Sequence, residues 1–206
     1  EHTSFSISTD ETRRHLNGAY FPGDGQNIRM VSTDGHRLSK LEVKIDGGGF
    51  YNFAMVIPNK AIGEIRKMVE DEKGIVSIAL DKDSVFFRRV VDIDGGQEEK
   101  EKTTAEVFLV TKVVEEEFPP YEQVIPRGND QIVLVSRQQF LDSLRRVSIV
   151  SADRTLGVKI SFEEGSINIE SSNPSLGEGL EQIDVTYDGD KMSIGFNAKY
   201  FIDIMS

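Results

Sequence analysis

An aspartate and a histidine two residues apart, Asp34 and His36, are the side chains of this sequence best suited to chemistry. On an extended or turning segment such a pair can act as a general base with its orienting carboxylate, or as two ligands of a divalent metal. Taken alone, they describe a small acidic metal-dependent hydrolase or nuclease. The supporting inventory is thin. The only histidines are His2, His15 and His36, and the chain has no cysteine, which removes thiol nucleophiles, disulfides and zinc thiolate sites. No His-x-x-x-His spacing marks a metal site, the Asp-x-Asp runs such as Asp92-Ile93-Asp94 have no histidine beside them, and no Gly-Lys-Ser/Thr run cradles a phosphate. An isolated Asp and His beside a glycine turn more often serve a structural role, so no catalytic constellation, metal or cofactor is expected.

The setting of the run Thr33-Asp34-Gly35-His36-Arg37-Leu38 is more informative than its chemistry, because it recurs. Leu16-Asn17-Gly18-Ala19-Tyr20-Phe21, a Gly-rich turn and Ile28 to Gly35 are matched by Leu156-Gly157-Val158-Lys159-Ile160-Ser161-Phe162, a Gly turn and Ile167 to Pro174. Further on, Val56-Ile57-Pro58-Asn59 and Ile194-Gly195-Phe196-Asn197 each lead into a helical pattern. A repeat this long is not a solenoid period and implies duplicated domains.

The elements that must position these residues read mostly as strands. Tyr20-Phe21, Ile28 to Ser32, Leu38 to Ile45, Phe53 to Ile57, Ile75 to Leu80, Val85 to Ile93 and Val107 to Val114 are β-branched or aromatic runs bounded by Gly, Asp and Asn. Asp94-Gly95-Gly96 reads as a hairpin turn. Helical spacing appears over Asn59 to Glu72, with Ala61, Ile62, Ile65, Met68 and Val69 as the apolar stripe and Asn59 as its cap. In the second copy, Ser136 and Gln139 form a capping-box pair ahead of Phe140, Leu141, Leu144 and Val147. The last helical pattern covers Lys199 to Met205. Runs of strands with one helix per half-domain indicate an α+β class, helices layered on antiparallel sheet. The shift to Pro, Arg, Gly, Asn and Asp at Pro126 to Asp130 suggests domains at 1–126 and 127–206.

Composition is that of an ordinary globular chain, 38% hydrophobic and 29% charged over 206 residues. No apolar run approaches a membrane span and no basic apolar leader is evident, so a cytoplasmic setting is expected. Twenty-four basic against thirty-five acidic residues give a net charge of −11, which argues against affinity for DNA phosphates. The distribution tempers this. Acid gathers at Asp92-Ile93-Asp94 through Glu101, Glu115-Glu116-Glu117 and Glu178 to Asp184, whereas Lys60, Arg66, Lys67, Arg137, Arg145 and Arg146 fall on or beside the outward faces of helical patterns. From charge alone such faces are as well read as solvated surface.

With Glu117-Phe118-Pro119-Pro120-Tyr121 and Val124-Ile125-Pro126, the repeated runs resemble the bacterial DNA polymerase sliding clamps, the beta subunits of the replicative polymerase. The likeness extends over nearly the whole chain, as most of the family's middle domain and the first half of its last. It implies a fragment that lacks the first domain, the first strand and most of the first helix of the middle domain, and the closing half of the last. It also implies a clamp fold of repeated domains and a non-catalytic processivity factor whose ring dimer encircles duplex DNA without reading sequence. The implied partners are the DNA polymerase III catalytic subunit, the clamp loader, and other polymerases and repair proteins that carry short clamp-binding motifs.

The resemblance also assigns residues. Leu16, Thr33, Gly35, His36, Arg37, Leu38, Pro119 and Val124, with Asn197 and Tyr200 from the last domain, correspond to the family's peptide pocket between its middle and last domains. Arg14, Lys60, Lys67, Arg137 and Arg146 correspond to surfaces facing DNA, with His15 beside Arg14. A motif carrying Leu and Phe would bury two side chains there at about 1.5–3 kcal/mol each, which suits an exchangeable micromolar contact of about −8 kcal/mol. Pro120, Gln123 and Ser175 depart from the family's usual residues, which bears on peptide preference and not on fold.

Overall fold

The computed structural model describes residues 2–45, 52–70, 75–93, 103–151 and 156–206. The turn expected at Asp94-Gly95-Gly96 lies outside them. The chain forms two compact units, Glu1–Glu122 and Gln123–Ser206.

In the first unit, β1 (Gly18–Asp24), β2 (Asn27–Thr33), β3 (Leu38–Lys44) and β4 (Asn52–Pro58) make an antiparallel sheet ordered β3-β2-β1-β4. Helix α1 (Asn59–Met68) leaves β4 directly, and a second antiparallel sheet follows from β5 (Val76–Asp81), β6 (Ser84–Ile93) and β7 (Thr103–Lys112). Strand alternation sends Ala19, Phe21 and Ile57 from the first sheet and Val85 and Phe87 from the second into one core with Ala61 and Ile62 of α1. Ile7 joins them from the N-terminal segment, which contributes two short 3-10 turns, Ser4–Ser6 and Arg14–Leu16.

The second unit opens with α2 (Arg137–Ser148), followed by β8 (Gly157–Glu163), β9 (Ser166–Asn173), β10 (Gly177–Asp184) and β11 (Met192–Asn197), then α3 (Ala198–Met205). Its sheet is ordered β10-β9-β8-β11, the same topology as β3-β2-β1-β4. The register repeats too. Tyr20 pairs with Val31 and Lys159 with Glu170, while Gly18 pairs with Pro58 and Gly157 with Asn197, a constant shift of 139 positions. The helix starts follow suit, since the Asn59 N–H donates to the Asn17 carbonyl at 3.1 Å and the Ala198 N–H to the Leu156 carbonyl at 2.9 Å. At Gly18 the approach is so close that a Cβ would lie 2.4 Å from the Ile57 carbonyl oxygen, so only glycine fits.

Three expectations need correction. Asn59 is the first residue of α1 and not its cap; Pro58 stands at the cap position and offers no side-chain bond. Ser136 does stand at the cap of α2, but its side chain makes no capping bond, so the capping box with Gln139 is not formed. Helix α1 closes at Met68, and the Val69 N–H already folds back on the Ile65 and Arg66 carbonyls.

The core of the second unit is built from Phe140, Leu144 and Val147 of α2 against Val158, Ile160, Ile167, Ile169 and Ile183 of the sheet, closed by Ala198. Leu144 has no exposed surface. Leu144→Ala should therefore lower unfolding free energy by about 2–5 kcal/mol, whereas Leu176→Ala, at an exposed position, should stay within about 0.5 kcal/mol. Urea denaturation of both variants measures the difference.

Candidate partner-binding and DNA-facing surfaces

The β2–β3 connection carries the Asp34 and His36 pair, and its hydrogen bonds explain why these residue types occur there. Asp34 Oδ1 accepts the N–H groups of His36 (2.9 Å) and Arg37 (3.1 Å), and Asp34 Oδ2 accepts Arg37 Nε at 3.0 Å. Thr33 Oγ1 accepts the Gly35 N–H at 3.1 Å and donates to the Arg37 carbonyl at 2.6 Å. Gly35 takes φ +91°, a left-handed conformation that a side chain would strain. Every polar group just named is spent on holding the turn.

The N-terminal segment braces the turn from outside. Arg13 Nη1 donates to the Asp34 carbonyl at 3.4 Å and Arg13 Nε to Asp10 at 3.0 Å. Arg37 reaches the Phe5 carbonyl through Nη2 and stacks its guanidinium 5.6 Å from the Phe5 ring centre. Ser6 and Ser39 share a buried 2.6 Å bond between hydroxyls, and Ser32 donates to the Thr3 carbonyl. Leu16, 5% exposed, ends the second 3-10 turn, and its carbonyl accepts the Ser8 N–H at 3.0 Å.

Strand alternation assigns faces. Ala19 and Phe21 point to α1, so Tyr20, Val31, Thr33 and Leu38 point to the opposite face of the sheet. On that face Tyr20 stacks against Phe118 with ring centres 5.1 Å apart and planes 6° from parallel, and Tyr121 meets both edge-on. Burial, then the neighbouring Glu122, push the Tyr121 phenol up to about 12. Pro119 lies between Phe118 and Tyr121 and is half-buried. The first unit thus holds Thr33, Gly35, His36, Arg37 and Leu38 in one tied turn, Leu16 at the end of the second 3-10 turn, and Pro119 in the segment anchored by Phe118 and Tyr121. His36 is exposed and Leu38 half-buried.

The remaining expected pocket residues belong to the second unit. Val124 is 70% exposed. Asn197 caps α3, its Oδ1 accepting the Lys199 N–H at 2.9 Å, and Tyr200 is half-buried on the first turn of that helix.

The basic residues divide by how their charge is employed. Lys60 and Lys67 are exposed on α1, Lys67 bonded to Glu64 at 3.0 Å. Arg137 donates to the Met205 carbonyl at the end of α3. Arg146 grips Glu181 of β10 with Nε–Oε1 at 2.6 Å and Nη2–Oε2 at 2.7 Å, and these bonds hold the Glu181 carboxyl at about 2. Arg14 lines a cleft with Glu11, Glu115 and Glu116, and His15 Nδ1 lies 3.3 Å from Glu116. Sequence reading missed Arg13, Phe5 and Glu181, each of which acts on a residue distant in the chain.

Comparison with known proteins decides the family. The model for the DNA polymerase III beta subunit central domain matches residues 1–120 and that for its C-terminal domain residues 122–206. The chain belongs to the DNA polymerase III beta subunit family. The beta sliding clamp of Pseudomonas putida is 32% identical over 205 residues, the match covering 100% of this chain and 52% of that relative. The crystal structure of the beta subunit from Pseudomonas aeruginosa superposes with a TM-score of 0.86 at 29% identity over 99% of this chain and 52% of that one. A griselimycin-bound clamp from Bartonella birtlesii gives 0.82 at 37% identity over 98% and 52%. The chain therefore spans about half the length of the relatives it matches. The family is that of a non-catalytic polymerase subunit, and the hydrolase reading lapses with it, since Asp34 is committed to backbone and guanidinium donors. Among the described residues no cluster of His, Asp or Glu could hold a metal, and no helix is long and apolar enough to cross a membrane.

Burial of Asp34 opposes its ionisation, but the His36 and Arg37 N–H groups and the Arg37 guanidinium outweigh it and bring its pKa below the usual carboxylate value. A depressed folded pKa stabilises the fold above the unfolded value, about 3.9 for aspartate, and the benefit vanishes as pH falls through the folded one. The difference in melting temperature between the parent and Asp34→Asn should accordingly be large at neutral pH and shrink steadily below about pH 4.

Proposed function

We propose that this chain is part of a replicative sliding clamp that encircles duplex DNA as a ring dimer and tethers DNA polymerase III to its template in the bacterial cytoplasm. The observation that carries this reading is the twice-built sheet, same strand order and same register, with exposed lysine and arginine on helices α1 and α2. Sliding asks for a few weak, sequence-blind phosphate contacts, which exposed Lys60, Lys67, Arg137 and Arg146 are suited to make, with Arg14 as a further candidate. Tethering converts repeated encounters into a high local concentration at the primer end, the physical source of processivity. The clamp loader, other polymerases and repair proteins are the further partners expected from the family.

The same reading makes Leu16, Thr33, Gly35, His36, Arg37, Leu38 and Pro119, with Val124, Asn197 and Tyr200, the residues that take a client peptide. A full-length clamp carrying this segment should bind a peptide containing a clamp motif with Leu and Phe at micromolar Kd. The binding should show a negative heat-capacity change and little dependence on salt, as apolar burial requires. Leu38→Asp and Val124→Asp, both at positions with exposed surface, should weaken it at least about tenfold, about 1.4 kcal/mol, with the fold kept. Calorimetry reads this directly, and unchanged affinity in both variants would remove the peptide assignment.

The charge assignment has its own measurement. Reversal of Lys60 and Lys67 to Glu, both exposed on α1, in that full-length clamp should reduce processive synthesis while the melting temperature shifts little, because exposed helix substitutions usually cost little stability. Arg137→Gln and Arg146→Gln, which remove the charge without setting a carboxylate against Glu181, should reduce it further. Full processivity at moderate salt would refute it.

A further inference from the structure

We propose that Glu181 occupies the place of a DNA phosphate on Arg146, holding its guanidinium when no DNA is present and competing with the backbone when it is. This deepens the DNA-facing reading of α2 and rests on it.

The geometry is that of a built clasp. Arg146 offers Nε and Nη2 as two parallel donors to the two oxygens of Glu181, the fork a guanidinium presents to phosphate as well as to carboxylate. Ser143, one turn earlier on α2 and almost wholly buried, donates its hydroxyl to Glu181 Oε2 at 3.0 Å and accepts Arg146 Nη2 at 3.3 Å. The carboxylate is thus anchored from the helix side. Along β10, Gly179, Glu181 and Ile183 turn toward α2, whereas Glu178, Leu180 and Gln182 turn away. A Cβ on Gly179 would lie 2.7 Å from Val150 Cγ2, so strand and helix end are in close packing and Glu181 is held beside Arg146. The Arg146 side chain nevertheless remains 57% exposed, open to an anion approaching from solvent.

The consequence for binding is specific. A free guanidinium that meets a phosphate releases mobile counterions, which makes affinity salt-dependent. Arg146 carries a counterion that is part of the chain and cannot diffuse away. Exchange of Glu181 for phosphate then adds little affinity and little salt dependence, as suits a clamp that must not stop.

The test uses the 206-residue chain, isotopically labelled for NMR, titrated with a short mixed-sequence DNA duplex at several salt concentrations. Glu181→Gln should bind about two- to five-fold tighter with a log–log salt slope steeper by about 0.9. Glu181→Asp, which keeps the charge and shortens the reach, should move affinity in the same direction. Arg146→Gln combined with Glu181→Gln should lose the gain. Glu178→Gln, which removes the same charge on the other face of the strand, should give a smaller effect. An equal gain from Glu178→Gln, or a gain that survives in the double variant, would reduce the effect to net charge and overturn the proposal. Resonances shifted at Lys60 and Lys67 with no gain from either Glu181 variant would overturn it while leaving the DNA-facing reading in place. If the duplex shifts no basic residue of α1 or α2 in any variant, that reading falls and this one with it. Thermal melting of each variant establishes that folded proteins are compared.

Discussion

Each four-stranded sheet and the helix that follows it are joined at one backbone hydrogen bond. The first N–H of the helix, which no helical carbonyl can accept, is taken by the carbonyl just ahead of the sheet's inner strand, Asn17 for Asn59 and Leu156 for Ala198. That bond fixes where the helix starts, and the start fixes which of its faces meets the sheet. In the first unit it is why Ala61 and Ile62 reach Phe21 and Ile57. It also requires the inner strand and the last strand to run side by side to their ends, as Gly18 does opposite Pro58 and Gly157 opposite Asn197. Only the cap differs, proline in one copy and a side-chain-bonding asparagine in the other.

With sheet and helix so fixed, the two faces of the first unit's sheet acquire different work. The face toward α1 is filled by apolar side chains and the buried serines that tie down residues 3–8. The other carries the Tyr20, Phe118 and Tyr121 cluster and the exposed turn at Thr33 to Leu38. Aromatic stacking secures the segment around Pro119 without any strand pairing of its own, and so sets a proline on a surface otherwise made by the sheet.

Much of this was legible in the sequence because it is local or periodic. The repeat showed in Leu16 to Gly35 against Leu156 to Pro174, and the same positions turned out to share a register, since strand alternation and turn length leave few ways to pair such runs. The apolar stripe of α2 was readable for the same reason. What escaped was tertiary or depended on competition for a donor. Asn59 reads as a cap by residue type, yet the carbonyl of Asn17 claims its N–H from outside the helix. Ser136 and Gln139 have the spacing of a capping box without forming one. Glu181 lies 35 residues from Arg146, and nothing in either segment announces the pairing.

The turn at Thr33 to Leu38 reaches any ligand already in its final shape. Two hydroxyl bonds, three carboxylate bonds and a left-handed glycine leave it little conformational entropy to lose on contact, so a peptide seated there is spared most of the ordering cost that loops usually impose. A rigid wall also has no closure step to undo. Residence time is then governed by the apolar contacts themselves, and a modest contact on a preformed surface dissociates quickly. On the proposed reading, in which several clients use this surface in succession, rapid handover would be the kinetic consequence of a turn so closely tied.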